Sequence, residues 1–494
     1  MINYFHLDKN KENVAMYLSH TKDNLTKKLL LSAIGATLCG VSAFGAGFAL
    51  YEGSSAGTAL GGAVMGKAVD ASALYYNPAT MSDFTNTIVT VGFVTEHPTA
   101  DTAINGHHGR KMDPGAFMLP HTYVVVPLPR DFSFGLGFAP EYGLGTHYNQ
   151  DWEMAWNTRS TFVEGLTLNP NVSYRITDDW SVAAGIRLLY FEFDQYASPQ
   201  AVSDGNYYGS MRNHLKGDNG FTDWGWELST RYRFTDTISA GVLYKSYIDT
   251  KVKGYNHTRV KSRDYSSAEA QAQAQADAVV RERLTAMGLA GTPYWDAYYA
   301  QAMQQASAQA RSQAHGMVDS SLDSAARGNT GDAHADIRLP QSVTLGGNWD
   351  VTETVHLGSS LTWTEWSSMP EINFHLPSGV KTTKLNWHDV YRIGFGGAWD
   401  FHENFTLLSS YVYDMDPCSH RRNNGSTMLP PGDRHIGTIG LQWHYGNLDV
   451  TVCYGLVFMM SHDAHFIDAQ GNDWKFDTHN GLSQSAGVSV SYQF

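Results

Sequence analysis

The chain has 494 residues, a formal net charge of −14, 47 glycines, 13% aromatic residues and only 34 lysines and arginines. With no basic cluster to offset the acidic excess, this balance excludes a nucleic-acid binder. A mean hydropathy of −0.32 argues against a helical membrane bundle, and abundant Trp, Tyr and Gly with few charges suit a β-rich protein.

The first element reads as an export signal. Lys27 and Lys28 precede an apolar core from Leu29 to Val41, and Ala43-Phe44-Gly45 supplies a small-x-small cleavage site. Cleavage after Gly45 makes residues 1–45 a signal peptide with a polar N-terminal extension, with Met16 an alternative start. A membrane anchor is the competing reading, although the core is short for a span. Cys39 would leave with the signal, and Leu38 stands where lipidation needs a small residue. Of the remaining cysteines, Cys418 sits in a polar loop and Cys453 in mid-strand, so two unpaired thiols are expected, with one disulfide the alternative.

Residues 46–84 are rich in Gly and Ala and carry no strand pattern. "GSSAG" (53–57) matches a nucleophile elbow but lacks the strand before it and the helix after it that the motif needs. It is read as chance.

From Asn86 one rhythm holds: a strand, a tight turn, a strand, then a longer polar stretch. The tight turns are 129–131, 177–179, 235–237, 350–354, 401–404 and 445–447, and the long segments include 213–220 and 421–433. Short turns at one end and long loops at the other are the layout of an outer-membrane barrel. In residues 180–191, Val182, Ala184, Ile186 and Leu188 share one face, and Ser181, Ala183, Gly185 and Arg187 the other. In residues 386–399, Trp387, Tyr391, Ile393, Phe395 and Trp399 are placed on the lipid face, with parity broken at Asp389 and Val390. In residues 448–456, Leu448, Val450, Val452, Tyr454 and Leu456 oppose Asp449, Thr451, Cys453 and Gly455. A soluble sandwich also alternates, but strands of about 10 residues flanked by Trp and Tyr favour lipid. Seven hairpins joined by six turns predict an all-β membrane barrel of about 14 antiparallel strands over residues 85–494. The alternating segment 486–494 runs to Phe494 because the closing strand must pair with the first.

The third strand, "DFSFGLGFAPEYGLGTHY", alternates to Phe138 and then meets Pro140, Gly143 and Gly145. A kink or bulge is expected there, or simply the strand's end. Residues 266–327 read instead as a helical insertion in an extracellular loop, with a solvated disordered loop the alternative. Ser266 and Glu269 have capping-box spacing, Thr292-Pro293 offers a second helix start, Gly288 and Gly291 separate the two helices, and Trp295, Tyr299 and Met303 form a stripe. By parity Arg187, Arg231, Lys245 and Arg392 point into the lumen. They can meet a ligand carboxylate, or pair with lumen carboxylates such as Glu227 and Asp249. His107-His108 is read as a loop pair, and no metal site, cofactor or catalytic dyad is expected.

The segment 46–81 resembles the start of mature FadL/TodX-type transporters, the long-chain fatty acid and aromatic hydrocarbon family. Gly47, Phe48, Leu50 and Glu52 match its opening, and Asp70, Ala71, Asn77, Pro78 and Ala79 its run ending in Asn-Pro-Ala. Further matches lie at 142–148, 166–186, 339–369 and 429–447, so the resemblance covers nearly the whole mature chain, and the 266–327 insertion departs from it. The resemblance implies that residues 46–84 are a hatch inside the lumen, with Asn77, Pro78 and Ala79 in its fixed turn. It implies that the kink at Pro140, Gly143 and Gly145 opens a lateral exit through the barrel wall. The expected function is uptake across the outer membrane of hydrophobic compounds, long-chain fatty acids foremost. Capture at external loops would be followed by passage to a lumen pocket and sideways release into membrane lipid. A surface adhesin or receptor using the insertion is the alternative, and a polar-solute porin a third. No enzyme is expected. The terminal aromatic strand also resembles the signal read by the barrel-assembly machinery.

Overall fold

The computed structural model describes residues 47–149, 152–203, 206–418, 432–467 and 473–494. The expected signal peptide, Ala46, most of the 421–433 segment and the side chains of His107 and His108 lie outside the described residues.

Fourteen antiparallel strands close into a ring. They are β1 (Ile88–Ile104), β2 (Phe117–Leu128), β3 (Phe132–His147), β4 (Ser160–Arg175), β5 (Trp180–Ala197), β6 (Asp223–Arg233) and β7 (Ile238–Lys245), followed by β8 (Ser342–Asp350), β9 (Val355–Thr364), β10 (Val390–His402), β11 (Phe405–Asp414), β12 (Arg434–Tyr445), β13 (Leu448–Met459) and β14 (Asp473–Gln493). Each pairs with its ring neighbours, and β14 returns to β1 with Gln493 opposite Ile88. The Phe494 amide donates to the Thr87 carbonyl at 2.9 Å, so the last residue completes the seam.

The ring forms because its two faces meet different surroundings. On β3, Phe132, Phe134 and Leu136 are exposed outside while Ser133, Gly135 and Gly137 are buried inside. Exposed aromatics gather beside the short turns, among them Phe132, Trp180, Phe234, Trp349, Trp399 and Trp443. Such a girdle marks a membrane–water interface.

Two expectations about the strands are corrected. Strands β1, β3, β4, β5 and β14 run 16 to 21 residues, well beyond the roughly ten that cross a bilayer. Their excess continues past the long-loop end into a sheet with further strands, including Asn206–Asp218, Ile248–Arg263, Gly331–Leu339, Glu371–Leu376 and Gly379–Lys384. Trp387 does not face lipid. Strand β10 begins only at Val390, and Trp387 is buried in the apolar interior.

The chief helical elements of the described residues are short pieces inside the ring and a long hairpin outside it. Helix α1 (Ser55–Ala59), α2 (Ala73–Tyr76) and a 3₁₀ turn (Pro78–Asp83) lie within the ring. Helices α3 (Ser266–Ala286) and α4 (Trp295–Gly328) form a hairpin on the long-loop side, with Ala268, Ala314, Val318 and Leu322 packed against Tyr208 and Val260. The capping box expected at Ser266 is not formed. Glu269 is drawn across to His315 and Arg311 of α4, and Asp264 accepts the Ser266 amide instead. Pro293 precedes α4 rather than opening it, and the Thr292 hydroxyl donates to the Leu289 carbonyl.

Cys418 and Cys453 are free and buried, which leaves a low labelling background. Cysteine placed at Gln301 on α4 is therefore expected to react with a membrane-impermeant maleimide on intact cells, and cysteine at Asp178 in the short turn is not. Labelling at 178 alone would reverse the orientation.

Candidate functional site

The wall is broken between β2 and β3. Their ladder starts at Leu128–Phe132 and stops at Thr122–Phe138. Continued in register, it would set Pro120 against Pro140, and a proline on each lip removes a backbone donor from each. Strand β3 keeps its other neighbour, β4, along its whole length, but with a bulge between Pro140 and Tyr142. The gap is closed above by a bridge from Met112 to Tyr148.

The exposed edge of β3 is covered from inside. Ala49 forms an antiparallel bridge with Tyr142. The Leu50 amide donates to the Glu141 carbonyl at 2.9 Å, and the Gly143 amide donates to the Phe48 carbonyl at 2.8 Å. The lumen segment thus acts as a short surrogate strand beside the break. Phe48 inserts its ring among Trp366, Tyr142, Trp387 and Phe191, with centroids 4.8, 6.0, 6.1 and 6.4 Å away. Gly47 is required by this contact: it has φ +65°, and a Cβ there would lie 2.4 Å from the Trp366 ring. These residues belong to the apolar interior that fills the upper lumen, which also takes in Ile248, Leu339, Phe374 and Cys418.

The Asn77-Pro78-Ala79 turn sits deeper. Asn77 is extended (φ −156°, ψ 94°) and Pro78 opens the 3₁₀ turn. The Asn77 amide group donates to the Met65 carbonyl at 2.6 Å and the Thr230 carbonyl at 3.2 Å, tying the segment to itself and to β6. Ala79 donates its N–H to Ser229 Oγ and accepts from Ser181 Oγ, at 3.0 and 2.9 Å. Room for Asn77 comes from Gly241 of β7, where a Cβ would meet Nδ2 at 2.2 Å. The "GSSAG" run has a packing explanation too: Gly57 lies under the Tyr76 ring, and Ser54 caps α1 through the Gly57 amide.

The four lumen cations divide in two. Arg231 ion-pairs with Asp83 and donates to the Gly66 carbonyl, so it fastens the lumen segment. Arg187, Lys245 and Arg392 instead border one cavity of about 90 Å³ with Tyr75, Glu141 and Asp414. Glu141, at the bulge, accepts from Arg187 and Lys245, each at 2.6 Å. The bulge turns both Glu141 and Tyr142 inward, and the Tyr142 hydroxyl lies 3.3 Å from Arg187. Arg392 lies over the Tyr51 ring at 4.9 Å. The pairing with Glu227 and Asp249 is therefore corrected. Glu227 accepts from Asn171, and Asp249 belongs to a new strand after Tyr247, where it meets Arg338 on the surface. The missed signals were Glu141, which keeps the inward parity of Ser133 to Ala139, and Pro120, which acquires meaning only once the register is known.

At the short-turn end a second cavity of about 630 Å³ lies between Leu60, Val64 and Lys67 of the lumen segment and β8–β12. A hydrogen-bonded chain crosses its wall from Lys67 through Asp350, His356, Asp400, Thr406 and His444 to Asp449. It anchors the lower part of the segment to the rim.

A closed ring with an apolar outer wall, an aromatic girdle and a folded segment in its lumen defines a multi-pass barrel of the outer membrane. Family comparison narrows the class. The chain belongs to the outer membrane protein transport protein family (OMPP1/FadL/TodX), whose model matches residues 36–494. It is 24% identical to the long-chain fatty acid transport protein of Escherichia coli O6:H1 over 96% of this chain and 99% of that one. It is 21% identical to outer membrane protein P1 of Haemophilus influenzae, over 95% and 98%. Among solved structures, a FadL homologue of Pseudomonas aeruginosa superposes with a TM-score of 0.70 at 17% identity, covering 90% of this chain and 99% of that one. The toluene transporter TodX of P. putida does so with 0.62 at 15% identity, over 90% and 99%.

Deleting residues 46–84 is expected to leave an assembled barrel that admits small hydrophilic solutes, measured by liposome swelling. An assembled deletion variant that stays impermeable would contradict a plugging role for the segment.

Proposed function

We propose that this barrel takes up hydrophobic compounds, long-chain fatty acids foremost, and releases them sideways through the break between β2 and β3. The observation that carries this reading is the backbone pairing of Phe48 and Leu50 with the bulged edge of β3. The break, its cover and the aromatic cluster around Phe48 are one connected unit. A ligand entering from the long-loop side would compete with Phe48 for the apolar cluster. Displacing Phe48 would pull the hatch off β3 and uncover an opening at membrane level. The apolar chain could then pass into lipid without crossing water.

The charge pattern supports an acid as the foremost ligand. Around the smaller cavity three cations, Arg187, Lys245 and Arg392, face two carboxylates, Glu141 and Asp414. Any of these cations can meet a ligand carboxylate through a charge-assisted hydrogen bond. A relative is named for long-chain fatty acid transport and a structural neighbour for toluene transport, so both ligand classes lie within the family. Members of this family are transporters, and this chain is read as a non-enzyme. The receptor reading built on α3 and α4 has no comparable observation behind it.

Replacing Pro140 with Thr and Gly143 with Val restores a ladder donor and favours a regular strand. Fatty acid uptake by cells carrying this variant is expected to fall severalfold while binding to the purified barrel persists. Unchanged uptake by the folded variant would mean that the ligand leaves another way, most simply down the barrel axis.

A further inference from the structure

Above the bilayer, the sheet carries a cluster that no transport step uses. His334 and Asp336 lie two residues apart on Gly331–Leu339, so they share one face, while Ala335 and Ile337 turn into the apolar interior. The neighbouring strand, Glu371–Leu376, sets His375 directly opposite His334. The two imidazoles stack with centroids 4.3 Å apart and planes 8° from parallel. His375 Nε2 is 3.8 Å from Asp336 Oδ2, and one donor atom from each of the three residues lies within 4.8 Å of the other two.

We propose that His334, Asp336 and His375 bind a divalent transition ion of the zinc and copper class. Two imidazoles and one carboxylate suit such ions, whereas calcium and magnesium prefer all-oxygen sets. The backbone positions are fixed by the ladder to Ile248–Arg263 on one side and to Glu371–Leu376 on the other. Only side-chain rotation is needed to bring the donors to the roughly 2.0–2.2 Å bond lengths such an ion takes. Lys251 Nζ is 3.6 Å from Asp336 Oδ1, and Lys253 stands opposite His334. Both lysines are solvent-exposed, so their opposition is screened and they can swing aside. A bound ion would brace the strand leaving α4 against the hairpin between β9 and β10.

The test uses the full-length, detergent-solubilised barrel stripped with chelator. Added Cu²⁺ is expected to show electron paramagnetic coupling to two nitrogens, and calorimetry to show one tight Zn²⁺ site. His375→Ala should leave coupling to one nitrogen and weaken Zn²⁺ binding by roughly tenfold or more. Asp336→Asn should keep both nitrogens and bind more weakly than the unmodified protein. His97→Ala, at the separate His97–Asp113 pair, should change neither signal. Folding of each variant is checked by its unheated gel mobility, and His334→Ala gives an independent second test. The proposal is overturned if both histidine variants, folded, bind Zn²⁺ as the unmodified barrel does. It is equally overturned if His97→Ala loses binding to the same extent, which would make the uptake of metal adventitious.

Discussion

In hydrocarbon every backbone N–H and C=O must find a partner, because an unpaired one costs several kcal/mol. That constraint closes the ring at Phe494, and it governs the one place where the ring is broken. Pro120 and Pro140 prevent β2 and β3 from zipping beyond Thr122 and Phe138. A bare strand edge facing the membrane would be untenable, so the lumen segment supplies the missing partners at Glu141 and Gly143. Much else follows from that arrangement. Gly47 must be small to pass Trp366, and Phe48 must be apolar to enter the aromatic cluster.

The same accounting holds for charge inside the lumen. Arg187 and Glu141 are almost wholly buried, and removing one partner from such a pair costs about 3–5 kcal/mol. Glu141 is therefore held at the bulge by two cations, which pins the kink from inside while the lumen segment pins it through the backbone. Asn77 and Arg231 fasten the middle and end of the segment, and Lys67 ties its lower part to the rim. The upper end, at Phe48 to Leu50, rests on a few backbone bonds and apolar contacts. On the proposed reading it is the part that an apolar ligand displaces.

The barrel was legible because lipid and lumen impose opposite demands on alternate residues, as at Phe134 and Gly135. The six turns and the Pro140 kink were legible because tight turns and proline act locally. Partnerships across the ring were not. Pro120 looks unremarkable until the register sets it against Pro140. Glu269 has capping spacing, yet α4 offers it a cation and a histidine. Parity continued from Lys245 puts Asp249 in the lumen, but β7 ends at Lys245 and another register begins at Ile248. His334 and His375 are far apart in sequence and meet only through a strand pairing outside the barrel rhythm.

The central claim is that release requires the hatch to leave β3. Ala49→Cys with Tyr142→Cys places two thiols on a directly bridged pair, and the native Cys418 and Cys453 are buried. Uptake of labelled oleate by cells with this variant is the decisive measurement. The account predicts uptake lost when the disulfide is formed and recovered on reduction, with binding retained in both states. Full uptake through the locked barrel would contradict it.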